Sequence, residues 1–180
     1  GLWRVENAPE KFLGQEIGDL GGGLDSTRTG IVYLSETISK IAYQAPDDFD
    51  ETITASKVSG NDNGFSFNSA QEADYSFYEN TLEINAQLIS PLADNAFNYY
   101  NYKLLGAFRE GNKLINKIAV SPKRENDRVF SGVIYIVEDD WQLYGAELTT
   151  TGKAIQVPFV ESLVFKHNFK YDSQTDLWVK

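Results

Sequence analysis

The sequence predicts an α+β fold, an antiparallel β meander in the second half capped by helices from the first. Three observations carry this. From Pro91 onward, apolar and polar side chains alternate between tight polar turns, the period of two of half-buried strands. Before Pro91, several segments carry helical spacing or helix-start signals. The 10 Tyr, 11 Phe and 3 Trp among 180 residues are an aromatic surplus, and aromatic side chains favour pleated surfaces.

The elements follow in order. GLWRVENAP alternates sides and reads as a short strand that stops before Pro9. Between Glu10 and Leu20, the residues Phe12, Leu13, Glu16, Ile17 and Leu20 recur at helical spacing, and the glycines at 21–23 end that helix. Residues 30–45 contain Ile31, Val32, Tyr33, Ile38 and Ile41 and read as one long or two short strands. Residues 46–60 open on Pro46 with nearby acids, a helix N-terminus where negative charge meets the dipole. GNDNG is a turn. Ser69-Ala-Gln-Glu72 is a capping box that opens a helix near 69–79. Residues 80–90 admit helix or strand and are assigned to helix.

Next, FNYYNYKLLGAFREGNKLINKIAVSP gives two alternating runs joined at Arg109-Glu110-Gly111-Asn112, a hairpin signature. RVFSGVIYIVEDDWQLYGAELTTTG repeats it with Glu138-Asp139-Asp140 at the turn. Leu163, Phe165, His167, Phe169 and Tyr171 share one face of the following run. Leu177-Trp178-Val179 begins a further strand. No linker or repeat interrupts residues 1–180, which read as one domain.

Composition narrows the function. The net charge of −10 and pI near 4.5 repel phosphate backbones, which argues against nucleic-acid binding. The chain has no Cys, hence no disulfide, thiolate nucleophile or thiolate metal site. It also has no Met, and it reads as a piece of something longer. No apolar run approaches the roughly 20 residues of a membrane helix.

Each candidate chemistry has a plainer competitor. GDLGGGLDSTRTG lacks GK[ST] and G-x-G-x-x-G, and Asp19 and Asp25 would repel a phosphate, so it reads as a connector. SGNDNGFSFN and EDDW cluster oxygen ligands without the EF-hand spacing and read as surface turns. His167, the lone histidine, sits on an apolar strand face and reads as a core or cavity-wall residue rather than a general base. The acids at 47–51 and 138–140 are runs in turns, not carboxylates from separate segments. The aromatic surplus is either core plus girdle or the lining of an apolar groove under a curved sheet.

The stretches APEKFLGQEIGDL, LDSTRTGIVYLSETISKI, SKVSGNDNGFSFNSA, ISPLADNAFNYYNYKLLG and SPKRENDRVFSGVIYIVEDDW resemble the middle soluble region of large cell-envelope proteins of Bacteroidetes. These are called carboxypeptidase-like regulatory domain-containing proteins and have no known function. The resemblance covers nearly the whole chain. It implies an upstream β-sandwich and a downstream outer-membrane β-barrel. It implies no protease, since no zinc-ligand motif occurs here.

The order of strand, helices and meander is also similar to the lipoprotein-carrier and lipoprotein-sorting fold. That likeness implies an unclosed, strongly curved half-barrel with helices from the first half packed on its concave face, around a cavity for acyl chains. On these grounds the expected protein is a non-enzymatic domain on the periplasmic side of the outer membrane, attached to a barrel but not itself membrane-spanning. It needs no cofactor. Its expected ligand is a lipid or acyl chain, held against a wall of Trp141, Leu163, Phe165, His167, Phe169 and Tyr171. The alternatives are an interaction module for envelope proteins with a filled core, and an envelope hydrolase that uses carboxylates.

Overall fold

The computed structural model describes residues 2–12, 15–16, 23–44, 48–59, 76–168, 170–172 and 177–179. Over these residues the chain is almost entirely β-structure. Among these residues the helices expected on a concave face are not found. Among the described residues the one helical element is a single 3-10 turn at Ala96–Asn98.

Strand β1 is Leu2–Val5, and β2 (Lys11–Phe12) with β3 (Gln15–Glu16) makes a minimal ladder. The long β4 is Gly30–Gln44 and β5 is Asp48–Ser59. A small hairpin of β6 (Thr81–Glu83) and β7 (Gln87–Ile89) follows. Then come β8 (Tyr100–Glu110), β9 (Lys113–Pro122), β10 (Ser131–Val137), β11 (Leu143–Thr151) and β12 (Val160–Asn168). The short β13 (Lys170–Asp172) and β14 (Leu177–Val179) end the series.

Ten of these strands form one antiparallel sheet in the order β13-β14-β4-β1-β12-β11-β10-β9-β8, with β5 on β4. Among the described residues the sheet does not close: β8 pairs only with β9.

Two of the expected helices have physical reasons to fail. Residues 48–59 contain Thr52, Ile53, Thr54 and Val58, whose branched Cβ atoms are stiff in a helix and fit a pleated surface; β5 pairs with β4 from Gln44↔Asp48 to Leu34↔Ser59. In 80–90, Leu82 and Leu88 are buried opposite one another, and Asn85 makes the turn at φ 53°, a left-handed value that asparagine tolerates. The segment 10–20 supplies the β2–β3 ladder instead of a helix, and its residues 13–14 and 17–20 lie outside the described residues, as does most of the helix expected near 69–79. Phe77 and Tyr78 form a turn.

With no α-helix among the described residues, the inner face of the sheet is sealed by irregular chain. On β11 and β12 the register sets Ala146 beside His167, Leu148 beside Phe165 and Thr150 beside Leu163. Phe77 stands edge-on to Phe130, Phe165 and His167, at ring-centre distances of 5.5, 6.3 and 5.1 Å. Leu82, Leu88, Ile155 and Val157 complete this core.

Buried hydrogen bonds hold the cover in place. The Tyr100 phenol donates to the Ile89 carbonyl and accepts from the Phe130 N–H. Tyr102 donates to the Pro91 carbonyl at 2.8 Å, and Thr150 to that of Val129 at 2.9 Å. Gly132 has no substitute: at φ 142° an added Cβ would lie 2.1 Å from the Glu147 carbonyl oxygen across the ladder.

Two consequences are measurable. Phe77→Ala should lower the unfolding free energy by about 3–5 kcal/mol, read from the urea midpoint at unchanged m. Tyr100→Phe keeps the ring but strands two buried backbone groups, and should cost about 1–3 kcal/mol. A Phe77→Ala loss under about 1 kcal/mol would mean that the cover does not seat on the sheet.

Alkali provides a second test. Burial pushes the Tyr102 phenol up to about 12, and burial raises that of Tyr100 further. Their ordinary value is 10.0. The unfolded chain therefore ionises first, so stability is full below pH 10 and falls as the pH climbs from there through about 12. Tyr100→Phe/Tyr102→Phe should flatten that decline in denaturation midpoints taken between pH 9 and roughly 11.5.

Candidate interaction surface on the edge strand

The residues expected to line an apolar cavity do not stay together. Leu163, Phe165 and His167 share the inner face of β12 and are buried, at 0%, 3% and 6% exposure. Phe77 and Phe130 lie directly on Phe165, with edge-to-face geometry. The chain's own aromatic rings thus occupy the space against this wall. Trp141 is elsewhere: it sits in the β10–β11 turn at φ 54° and is 78% exposed. Phe169 and the side chain of Tyr171 lie outside the described residues.

The other candidates resolve as local structure. In the glycine-rich connector, one Asp25 carboxylate oxygen accepts from the Thr27 N–H, the Thr27 hydroxyl and the Thr29 N–H, at 2.8, 2.7 and 3.0 Å. Those hydrogen bonds pull the Asp25 carboxyl below its ordinary value, led by the Thr27 side chain. The Thr27 and Thr29 N–H groups are therefore engaged by the loop's own carboxylate, and residues 18–22 of the connector lie outside the described residues. Arg28 ties this turn to the Ala8 and Pro9 carbonyls.

Glu138, Asp139 and Asp140 are exposed in their turn, where Asp140 pairs with Lys113. Among the described residues, no three His, Cys, Asp or Glu side chains converge as metal ligands. The acids of β5 have side chains outside the described residues, and SGNDNGFSFN lies outside altogether. No helix among the described residues is long and apolar enough to cross a membrane, which leaves membrane-crossing strands unaddressed.

The feature that stands out is β8. It is an 11-residue edge strand, exposed from Lys103 to Glu110. Leu104, Leu105 and Phe108 leave 63%, 50% and 41% of their surfaces in solvent. A β-bulge explains the double exposure. Leu104 pairs with Ile118, but Gly106 pairs with Lys117, so Leu105 is an extra residue and the alternation inverts beyond it. Leu104 belongs to the inner face, past the reach of the cover, whereas Phe108 is turned to the outer face.

On that outer face Phe108 shares a row with Ile115 of β9 and Val137 of β10, both fully buried and separate from the main core. Its ring lies 6.2 Å from Tyr135 and 5.9 Å from Tyr144, edge-on to both. The Lys117 ammonium sits 5.8 Å from the Tyr135 ring centre. Partial desolvation, reinforced by a hydrogen bond donated to the Glu110 carboxylate, pushes the Tyr144 phenol up to about 12. The result is an aromatic platform beside a strand edge that no other described strand pairs.

The charge of this region departs from that of the molecule. Residues 100–130 carry seven basic side chains against three acidic ones, in a chain with 16 basic and 26 acidic residues. Lys103 and Arg109 are exposed on β8, and among the described residues neither has an ion-pair partner. This asymmetry is readable from the sequence alone. It is hidden when the whole chain is summed to −10.

A surface role for these residues predicts small folding effects. Leu104→Asn should change the unfolding free energy by no more than about 0.5 kcal/mol, whereas Leu163→Ala should cost about 2–5 kcal/mol. Urea denaturation of the two variants separates exposed patch from core. No curated protein and no solved structure matches the chain. A family model, the family of unknown function DUF5686, matches residues 1–180, and the chain belongs to that family.

Proposed function

We propose that this chain is a non-enzymatic interaction module of a cell-envelope protein, which holds a partner by adding the partner's extended segment to β8. The observation that carries the reading is a long strand with one neighbour among the described residues and three exposed apolar side chains, Leu104, Leu105 and Phe108. Unpaired N–H and C=O groups along such an edge template another strand, and flanking pockets for alternate side chains give selectivity. The platform of Phe108, Tyr135 and Tyr144 supplies apolar contact beside it.

Placement in the envelope, on the periplasmic side of the outer membrane beside a barrel, follows from the sequence resemblance to Bacteroidetes envelope proteins. The interaction reading is preferred to acyl-chain binding because Phe77 and Phe130 lie against Phe165. It is preferred to hydrolysis because the acids of the β10–β11 turn are exposed, without a second carboxylate segment converging on them among the described residues.

The test is photo-crosslinking in cells. A photoreactive residue at Leu104 or Phe108 of the full-length protein should yield a discrete protein adduct, and the same group at Lys166 on β12 should not. An absence of β8-specific adducts would overturn the proposal. So would native mass spectrometry that finds a stoichiometric acyl ligand in protein purified without detergent, since that result restores the cavity reading.

A further inference from the structure

The edge strand carries the complement of its own surface. We propose that β8 is the seat of an isologous dimer, in which the β8 strands of two copies of this chain pair antiparallel about a two-fold axis at Ala107. This rests on the strand-addition reading above and names the added strand.

The bulge makes the strand self-complementary. Lys103 and Glu110 are seven residues apart, so in a regular strand they would lie on opposite faces. Leu105 is skipped in the ladder, which leaves them six paired positions apart on one face: Lys103 pairs with Ala119 and Glu110 with Lys113, both on the outer face of β9. The hydrogen bond from the Tyr144 phenol holds the Glu110 carboxylate on that face. The midpoint between the two charges is Ala107. Gly106 and Phe108 flank it, also on the outer face, opposite Lys117 and Ile115.

A two-fold axis normal to the sheet keeps outer face with outer face, and each position meets the one equally far on the other side of Ala107. Lys103 of each copy then stands opposite Glu110 of the other, and Phe108 opposite Gly106. Both contacts occur twice. Opposite charges across a strand pair stabilise it. A ring over a glycine of the neighbouring strand covers backbone that the glycine leaves bare, and a Cβ added at Gly106 would meet nothing within 4 Å. On the inner face Arg109 falls across from Leu104, where its aliphatic stem covers a side chain that is exposed in the single copy.

Other registers lose these contacts. A slip of one position sets inner residues against outer ones. A two-fold at Gly106 puts Lys103 against Phe108, and one at Phe108 puts Glu110 against Gly106. An unrelated strand would have to bring both charges and both apolar fillers, whereas a second copy brings them by symmetry.

The chain has no cysteine, so the axis can be tested directly. Opposed residues on paired strands have Cβ atoms about 4.5–5.5 Å apart, close to what a disulfide spans. Ala107→Cys should therefore give a covalent dimer under mild oxidation. Arg109→Cys, with its two thiols roughly 14 Å apart along the strands, should not. Sedimentation equilibrium on the 180-residue chain should show a reversible dimer with a Kd on the order of 10 μM, since one strand pair lies at the small end of specific interfaces. Lys103→Glu and Glu110→Lys should each weaken it about tenfold, because each turns two opposite-charge contacts into two like-charge ones. An equimolar mixture of these two variants should restore it, since the unlike copies bring opposite charges to both contacts.

A chain that stays monomeric up to about 200 μM would overturn the inference. So would a dimer that both charge reversals leave intact, a mixture of the two variants that stays monomeric, or an Arg109→Cys chain that links as readily as Ala107→Cys. If the chain is monomeric but Leu104 crosslinks to a different protein in cells, self-pairing falls and strand addition stands. If there is neither dimer nor adduct, both fall.

Discussion

Everything in this fold depends on how one apolar sheet face is kept from water by irregular chain. Phe77 does most of it. Its ring meets Phe130, Phe165 and His167 edge-on, a geometry that matches ring edges to ring faces. The chain that delivers Phe77 is irregular from 76 to 80, and its backbone polar groups need partners of their own. Ser90 donates to the Phe77 carbonyl and its hydroxyl also accepts from Leu92. Ile89 donates to Arg128, and Ser90 to Asn80. The Tyr100 phenol closes the arrangement by linking Ile89 to Phe130. Apolar packing and this polar stitching hold each other in place, since either alone would leave buried groups unsatisfied or unsealed.

That cover is finite, and its limit defines the surface. It reaches Tyr100 and Tyr102 at the start of β8 but leaves Leu104 half solvated. Just there the bulge at Leu105 inverts the strand. Phe108 leaves the inner face and joins Ile115 and Val137 outside. Had β8 continued in register, Phe108 would have pointed inward with Leu104. The bulge thus splits one apolar stripe into two shallow patches on opposite faces of the same edge, which suits contact with an added strand better than with a flat surface.

Local signals were legible and long-range ones were not. The β8–β9 turn falls on Gly111-Asn112, where Gly111 takes φ 59°, as the dipeptide and flanking alternation indicate. The shared face of Leu163, Phe165 and His167 was equally plain from its period of two. What seals that face was not: Phe77 lies some 90 positions upstream of His167, and nothing in a periodic pattern announces such a contact. The helix reading of 46–60 failed because a start signal was taken without a 3.6-residue apolar stripe behind it. Pro46 and its acids looked like a helix opening, yet Thr52, Ile53 and Thr54 follow, and tertiary pairing with β4 decided the outcome. Trp141 was grouped with the wall as an aromatic, although EDDW marks a turn tip.

The edge strand went unread because exposure, unlike periodicity, is a property of the whole sheet. β8 alternates well enough to look like any meander strand, and only the strand order shows that no other described strand lies beyond it. Its charges then acquire a different meaning. On an interior strand, Lys103 and Arg109 would be ordinary solvated residues. On an edge they act as gatekeepers, a common means of preventing sheets from joining. A pure gatekeeper has no need of Leu104, Leu105 and Phe108 in solvent between the two charges, because apolar residues there raise the very risk that the charges guard against. The two features are reconciled if the edge is meant to be occupied.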